Sequence, residues 1–86
     1  LNNLRAAYLR RGAWPKALQV QDLLVDSTPN EGTEYRQRGY LRLQMKLYRE
    51  AARDLEKYLE LSPNAKDREE IEKRLRSLHR WVSGMN

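Results

Sequence analysis

The chain has 86 residues, a net charge of +5 and no cysteine. This length favours a single small domain, and the lack of cysteine excludes disulfides, thiolate metal sites and cysteine nucleophiles, which fits the reducing cytoplasm where we expect the protein. No apolar run approaches the roughly 20 residues that a membrane-spanning helix needs, so no membrane partner is expected.

The residue usage predicts an all-α fold. The most frequent residues (leucine, arginine, alanine and glutamate) are good helix formers, and the alternation that a strand needs is missing. Gly12 is expected to end the first helix as its C-cap, and Pro15 to lie in the first turn of the second. Pro29 and Pro63 break the chain after the second and fourth helices. The predicted helices cover residues 1–11, 14–27, 32–45, 48–61 and 67–83.

A period of 34 residues relates the first half of the chain to the second. Residues of the same character recur at this spacing: Trp14 and Tyr48, Ala17 and Ala51, Val25 and Leu59, Pro29 and Pro63, and Asn30 and Asn64. The period and the order of aromatic, small and proline residues resemble the tetratricopeptide repeat, whose pattern is W-x2-L-G-x2-Y, then A-x3-F, then P. This resemblance implies two antiparallel helix hairpins, stacked as a fragment of an α-solenoid.

The two copies depart from the pattern at different places. Residues 1–31 form a degenerate first repeat, with Arg5 at the glycine position and Gln21 at the position of the large apolar residue. Residues 32–65 form the second repeat, in which Arg42 replaces the expected tyrosine. All these departures fall at packing positions.

Small residues are expected where the helices of a hairpin approach most closely. Gly39 and Ala51 would lie at this point in the second hairpin, and Ala17 is the equivalent of Ala51 in the first. A larger side chain would push the helices beyond their usual separation of roughly 8–10 Å. The closer packing would offset the penalty of about 1 kcal/mol that glycine carries in a helix interior.

Residues 66–83 are predicted to form a capping helix and not a third repeat. A further step of 34 residues from the packing positions of the second repeat reaches Glu69, Glu72 and Lys73, which are unsuited to packing. The apolar residues instead form one stripe, made of Ile71, Leu75, Leu78 and Val82. Such a one-sided helix covers the last apolar face of a solenoid. Asp67 and Glu70 are predicted to form a capping box at its start.

Three stretches carry a narrower resemblance: "LNNLRAAYLRRGAW", "EYRQRGYLRLQ" and "AARDLEKYLELSPNAKDREEI". They are similar to the C-terminal repeat segment of the SirB-type bacterial proteins, in which this segment follows a transglutaminase-like domain. The resemblance implies that a Cys-His-Asp-type centre would belong to the preceding domain, so no catalytic residue carries over to this chain. Because the first residue is Leu1 and the first helix starts at once, we expect the chain to be a piece of a longer protein.

No group of residues in the sequence forms a catalytic or cofactor-binding pattern. His79 is the only histidine, and its place near the end of the last helix favours an interaction with the helix C-terminus. The glycines are too scattered to form a phosphate-binding loop, and the acidic pairs lack the histidine or cysteine companions of a zinc site. We therefore predict no enzyme activity, no metal and no cofactor for this segment.

Two arginines occupy positions that normally bear apolar side chains facing the partner helix. If Arg38 and Arg42 point inward, a carboxylate must lie near them, because an unpaired buried charge is very costly. Asp54, on the helix packed against theirs, is the first candidate, and Asp22 and Asp26 are the alternatives. Such an ion pair would fix the register between repeats, while a ligand-binding role for the arginines is the other reading.

The family resemblance implies a concave groove lined by the first helix of each hairpin. If Leu4 and Tyr8 pack inward, a polar, mildly positive surface is left for the groove: Asn2, Asn3, Arg10, Arg36, Gln37, Tyr40 and Gln44. It would suit an extended or acidic protein segment, or these groups are merely solvated. The carboxylate clamp known in this family is not recognisable. Trp14 is expected to close the first hairpin, and Trp81 to belong either to the core or to a docking surface.

Two functions follow as hypotheses. The first is a protein-interaction or scaffold module that binds a peptide, another protein, its own upstream domain or a second copy of the chain. The second is binding of nucleic acid or another polyanion through seven cations: Arg5, Arg10, Arg11, Lys16, Arg36, Arg38 and Arg42. The acidic residues that are interleaved with cations beyond residue 21, and the lack of a nucleic-acid motif, disfavour the second hypothesis.

Overall fold

The computed structural model describes residues 2–84; Leu1, Met85, Asn86 and the side chain of Asn2 lie outside the described part. This part contains five helices and no strand, which confirms the all-α prediction: α1 (Asn2–Arg10), α2 (Trp14–Ser27), α3 (Gly32–Gln44), α4 (Tyr48–Leu61) and α5 (Arg68–Ser83). The observed ends lie within one residue of the predicted ones. The first repeat was predicted to begin at Leu1, which lies outside the described residues.

The helices pack in chain order, each against the next. Short turns join α1 to α2 and α3 to α4, so each of these pairs is a hairpin, and α5 packs on α4 as the final helix of the stack. The hydrophobic core lies at this end, where Leu55 of α4 and Ile71 of α5 are fully buried. The predicted stripe of α5 accounts for this contact, because Ile71, Leu75 and Leu78 are its buried residues.

The first helix is much less covered than the sequence pattern predicted. Leu4 was expected to pack inward, but it is 45% exposed, and Leu9 is 36% exposed. Within residues 2–84, α1 packs only on α2, so no second element covers its remaining apolar surface. Tyr8 is half-buried. The prediction that Leu4 packs inward was therefore wrong.

The 34-residue period is visible in the backbone itself. Gly12 and Lys46, which lie two residues beyond the ends of α1 and α3, both have left-handed conformations, with φ of 69° and 61°. The amides that follow them make the same bond, since Ala13 N donates to Tyr8 O and Leu47 N to Arg42 O, both at 2.9 Å. This is the hydrogen bond of a Schellman cap, with glycine at its favoured position in only one of the two copies.

Lys46 provides a direct test of this cap. A left-handed conformation costs a side-chain-bearing residue roughly 1–2 kcal/mol, so Lys46→Gly is expected to raise the free energy of unfolding by about 1 kcal/mol. Lys46→Ala is the matched control, because it removes the charge but keeps the Cβ atom, and it should leave stability within about 0.5 kcal/mol of the parent. Urea denaturation measures both; an equal gain from alanine would show that the charge, and not the conformation, is responsible.

Gly39 lies where α3 and α4 approach most closely. A Cβ atom at this position would come within 3.0 Å of Leu55 Cδ2 and 3.3 Å of Asp54 Cβ. Ala51 on α4 and Ala17 on α2 are both fully buried. Small residues at these positions thus permit the tight packing of the hairpins. Pro29 and Pro63 lie exposed just after α2 and α4.

The predicted capping box at the start of α5 is not formed. Asp67 is the N-cap residue, but its side chain makes no capping hydrogen bond. Its carboxylate instead accepts hydrogen bonds from Arg36 Nε on α3 and the Tyr58 hydroxyl on α4. The guanidinium carries a full positive charge that a backbone amide lacks, so the ion pair with Arg36 draws the carboxylate away from the start of α5. The capping-box prediction was wrong for this reason.

Candidate functional site

A groove of about 270 Å³ lies between α1 and α3. Eight residues from three helices line it: Arg5, Leu9, Trp14, Gln21, Gln37, Tyr40, Leu41 and Gln44. The surface is apolar where leucines and aromatic rings meet, and the amides of Gln37 and Gln44 add polar groups from α3. We call this feature the groove.

A polar network closes one side of the groove and joins the two hairpins. Gln21 is fully buried, and its Oε1 accepts a hydrogen bond from Arg5 Nη1 at 2.6 Å. Its Nε2 donates to the backbone oxygen and to Oε1 of Glu34, each at 2.9 Å. Arg5 Nη1 also lies 3.5 Å from Glu34 Oε1. The two departures of the first repeat thus explain each other, since Arg5 and Gln21 satisfy one another's polar groups at the hairpin junction.

The residues assigned to the groove from sequence have different places in the structure. Gln37, Tyr40 and Gln44 line it. Arg10 and Asn3 are exposed on α1 but are not among the lining residues, and the side chain of Asn2 lies outside the described part.

Arg36, which was also assigned to the groove from sequence, bonds to Asp67 instead. Five further residues line the groove that the sequence pattern had not assigned to it: Arg5, Leu9, Trp14, Gln21 and Leu41. Trp14, expected to close the first hairpin, is half-buried and belongs to this surface.

The Asp67 cluster links α3, α4 and the start of α5. Arg36 Nε donates to Asp67 Oδ2 at 2.7 Å, and the Tyr58 hydroxyl donates to Asp67 Oδ1 at 2.5 Å. Arg36 and Arg74 also lie 4.8 and 5.5 Å from the centre of the Tyr40 ring, within the range of cation–π interactions. Helix α5 therefore contacts, through Arg74, a ring that lines the groove.

The cluster changes the pKa values of its members. Burial alone would raise the pKa of Asp67, but the hydrogen bonds from Tyr58 and Arg36 outweigh it and lower the pKa below its usual value. For Tyr58, burial and the bond to Asp67 both raise the pKa above its usual value. The hydrogen bond to Asp67 is the main cause that raises the pKa of Arg36. Near neutral pH, the cluster thus consists of an ionised carboxylate held by a phenol and a guanidinium.

Asp67→Asn is expected to lower the free energy of unfolding by about 1.5 kcal/mol at pH 7, since two bonds to a carboxylate are weakened. The pKa of Asp67 is lowered by folding, so its charge stabilises the fold above about pH 4, and this contribution is lost as the pH falls through the folded-state pKa. The loss caused by the substitution should therefore be smaller at about pH 3 than at pH 7. Chemical denaturation at both pH values measures it. Asp26→Asn, at an exposed position, is the control, and a cost for Asp67→Asn that is independent of pH would contradict the assignment.

The Asp54 network joins α3 and α4 of the second hairpin and reaches α2 of the first through Asp22. Asp54 is 3% exposed. Its oxygens accept hydrogen bonds from Arg38 Nε (3.0 Å) and Nη2 (2.9 Å) and from Arg42 Nη1 (2.7 Å). Arg38 Nη1 also donates to Asp22 Oδ1 at 3.1 Å. Asp54 is thus the partner of both arginines and Asp22 an additional one, whereas Asp26 is exposed and takes no part.

The contacts of the Asp54 network favour the charged form of Arg38. Burial alone would lower the pKa of Arg38, but the hydrogen bonds and charge of Asp54 outweigh it and raise the pKa. The two arginines and two aspartates balance in charge. A role in fixing the register of the repeats remains a prediction, and replacement of the whole network by apolar residues tests it.

The far ends of α4 and α5 carry the remaining sequence candidates. The rings of Tyr48 and Trp81 meet edge to face with their centres 5.5 Å apart, and Trp81 stays 54% exposed. His79 Nε2 lies 3.9 Å from Glu56 Oε1, and both side chains are more than half exposed. His79 is therefore placed beside α4 and not bonded to the end of its own helix. Among the described residues, no group of three or more histidine, aspartate or glutamate side chains could hold a metal ion.

The cations proposed for polyanion binding are largely occupied. Arg5, Arg36, Arg38 and Arg42 all form ion pairs with carboxylates. The others are Arg10 and Arg11, which are exposed, and Lys16, which lies 5.8 Å from the centre of the Tyr8 ring. None of the helices within residues 2–84 is long and apolar enough to span a bilayer.

A family model described as tetratricopeptide repeat matches residues 4–76. The chain belongs to the tetratricopeptide repeat family. The match spans both hairpins and more than half of α5, in agreement with the 34-residue period and the helix order. Tetratricopeptide repeats generally mediate protein–protein interaction and are typically non-catalytic. No curated protein matches the chain.

Proposed function

We propose that this tetratricopeptide segment is a non-catalytic interaction module that binds an extended segment of a partner protein in the groove between α1 and α3. The observation that carries the proposal is the groove itself: apolar and amide side chains from both hairpins line one concave surface. Leu9 and Trp14 come from the first hairpin, and Tyr40 and Leu41 from the second. An interface centred on aromatic and aliphatic side chains with polar groups at its edge is typical of protein recognition.

The test is selection of binding peptides from a random displayed library against the immobilised chain. Leu9→Asp should weaken the selected peptides at least about tenfold, which is about 1.4 kcal/mol of binding free energy, because it places a charge in the groove. Leu23→Asp is the matched control, since Leu23 is an exposed leucine of α2 that is not among the lining residues, and it should change affinity little. Failure to select any peptide, or peptides that bind Leu9→Asp as well as the parent, would overturn the proposal.

We further propose, from the resemblance to the SirB-type proteins, that the segment acts in the bacterial cytoplasm next to a transglutaminase-like domain. The partner is then a separate protein or peptide, this upstream domain or a second copy of the chain. The support is the set of sequence motifs around Gly12, Gly39 and residues 54–61. The gene sequence upstream of Leu1 tests the first part, because a domain with cysteine, histidine and aspartate in that arrangement is expected. Light scattering over a range of concentrations tests self-association.

A further inference from the structure

The groove is electrically neutral, although the sequence around it is basic. Within the described part of the chain, Arg5 is the only charged residue that lines it, and Glu34 Oε1 lies 3.5 Å from this guanidinium. The neighbouring cations of α3 point to other carboxylates, since Arg36 bonds Asp67 and Arg38 bonds Asp54. A ligand carboxylate in the groove would therefore have to displace an existing partner or remain unpaired, and an unpaired buried charge is costly.

The size and shape of the groove fit one large side chain. Its volume of about 270 Å³ is near the lower limit of pockets that hold a small molecule. Leu9 and the half-buried Trp14 supply apolar surface from α1 and α2, and the buried Leu41 of α3 lies beneath them as a lining residue. Burying a single aliphatic or aromatic side chain there would contribute roughly 1.5–3 kcal/mol.

Two glutamines flank this apolar centre on α3. Leu41 lies four residues after Gln37 and three before Gln44, so all three share one face of the helix. Both glutamines are exposed, and neither amide bonds to another residue within the described part of the chain. Each amide offers donors and an acceptor, which match the N–H and C=O groups of a peptide backbone.

The spacing of these amides sets a length for the ligand. Gln44 lies seven residues after Gln37 along the helix, which is about 10 Å along the axis. An extended chain covers this distance with about three residues. One peptide can therefore place an apolar side chain near Leu41 while its backbone reaches both amides.

We propose that the groove takes an uncharged, extended peptide segment that inserts one bulky apolar side chain between Trp14 and Leu41, with Gln37 and Gln44 bonded to its backbone. This inference rests on the proposed function and names the chemistry of its partner. It replaces the acidic ligand that the basic sequence indicated, because the structure assigns the cations to carboxylates of the chain itself.

The experiment uses the peptides selected on the parent chain. Trp81→Phe leaves Trp14 as the only tryptophan, so its fluorescence reports on the groove. The enriched peptides are expected to carry no net charge in their central residues and one leucine, phenylalanine or similar side chain, and to shift the emission of Trp14. Gln37→Ala combined with Gln44→Ala should weaken them about tenfold, whereas Gln19→Ala on the exposed side of α2 should not.

The outcomes separate this inference from the proposed function. Enriched peptides that are acidic or basic, yet lose binding to Leu9→Asp, would overturn the neutral ligand and leave the groove as the binding site. Peptide affinity that is unchanged by the double substitution Gln37→Ala and Gln44→Ala would likewise overturn the proposed ligand and leave the groove as the binding site. Peptides that do not respond to Leu9→Asp, or a selection that yields none, would overturn both.

Discussion

Asp54→Asn is expected to lower the free energy of unfolding by about 3 kcal/mol. The carboxylate accepts hydrogen bonds from Arg38 and Arg42, and its side chain is 4% exposed, against 16% and 20% for theirs. Removal of one partner of a buried ion pair costs roughly 3–5 kcal/mol. We expect the lower end, because the arginines keep some contact with water and Arg38 keeps Asp22.

A double-mutant cycle identifies the pairing. Arg38→Met and Asp54→Asn, separately and together, should show a coupling of about 1–2 kcal/mol in urea denaturation, since the second substitution costs less once the first partner is gone. Asp22→Asn, whose side chain is 44% exposed, should cost less than about 1 kcal/mol, and the exposed Asp26→Asn almost nothing. Strictly additive losses would contradict the pairing.

The same ion pairs can be replaced as a set. When apolar residues of similar size replace a buried ionic triad, stability is often unchanged or higher. The triple variant with Arg38→Met, Arg42→Leu and Asp54→Leu should therefore be at least as stable as the parent. If this variant unfolds or changes its helix content, then the polar network specifies the register of the hairpins and does more than fill space.

Leu55→Ala is expected to lower the free energy of unfolding by about 3 kcal/mol. Leu55 is fully buried, and replacement of a core leucine by alanine costs roughly 2–5 kcal/mol through lost burial and the cavity left behind. The cavity would open beside Gly39, because Leu55 Cδ2 is 3.0 Å from where a Cβ atom on Gly39 would lie. The two positions should therefore be coupled.

The effect of Gly39→Ala on the free energy of unfolding should have opposite signs in the parent chain and in the Leu55→Ala variant. In the parent chain the added methyl group meets Leu55 and should cost about 1 kcal/mol net, because overpacking exceeds the gain in helix propensity. In the Leu55→Ala chain the cavity accepts the methyl group, and the same change should stabilise by about 1 kcal/mol. The matched control is Ile71→Ala, another fully buried position that does not contact Gly39, where Gly39→Ala should still destabilise. An unchanged effect in all three backgrounds would contradict the close approach of α3 and α4.

Helices and their order could be predicted from sequence because they depend on local signals. Gly12 and Pro15 mark the turn between the first two helices, and the 34-residue offset carries the same boundaries to the second hairpin. The partner of Arg38 was also predictable, because a buried arginine requires a carboxylate and Asp54 faces it from the adjacent helix. These inferences need only periodicity and charge balance.

The groove could not be predicted in the same way, since its members depend on how the hairpins stack. Arg36 was assigned to the groove and Asp67 to a capping box, but the structure pairs them with each other across 31 residues of sequence. Leu9 lines the groove but was not singled out from the sequence; within residues 2–84, α1 packs on α2 alone and leaves Leu9 exposed. A signal was present in Arg5 and Gln21, two polar residues at packing positions of the same repeat, which together indicate a polar contact.

The most direct test of the groove as the binding surface is an NMR titration of the isotope-labelled chain with one selected peptide. The largest shifts are expected at the Trp14 indole N–H, the side-chain amides of Gln37 and Gln44, and the backbone around Leu9. Tyr48 and Trp81, whose rings pack together between α4 and α5, should stay unchanged. Shifts centred on Tyr48 and Trp81, with the groove signals unmoved at saturation, would contradict the account.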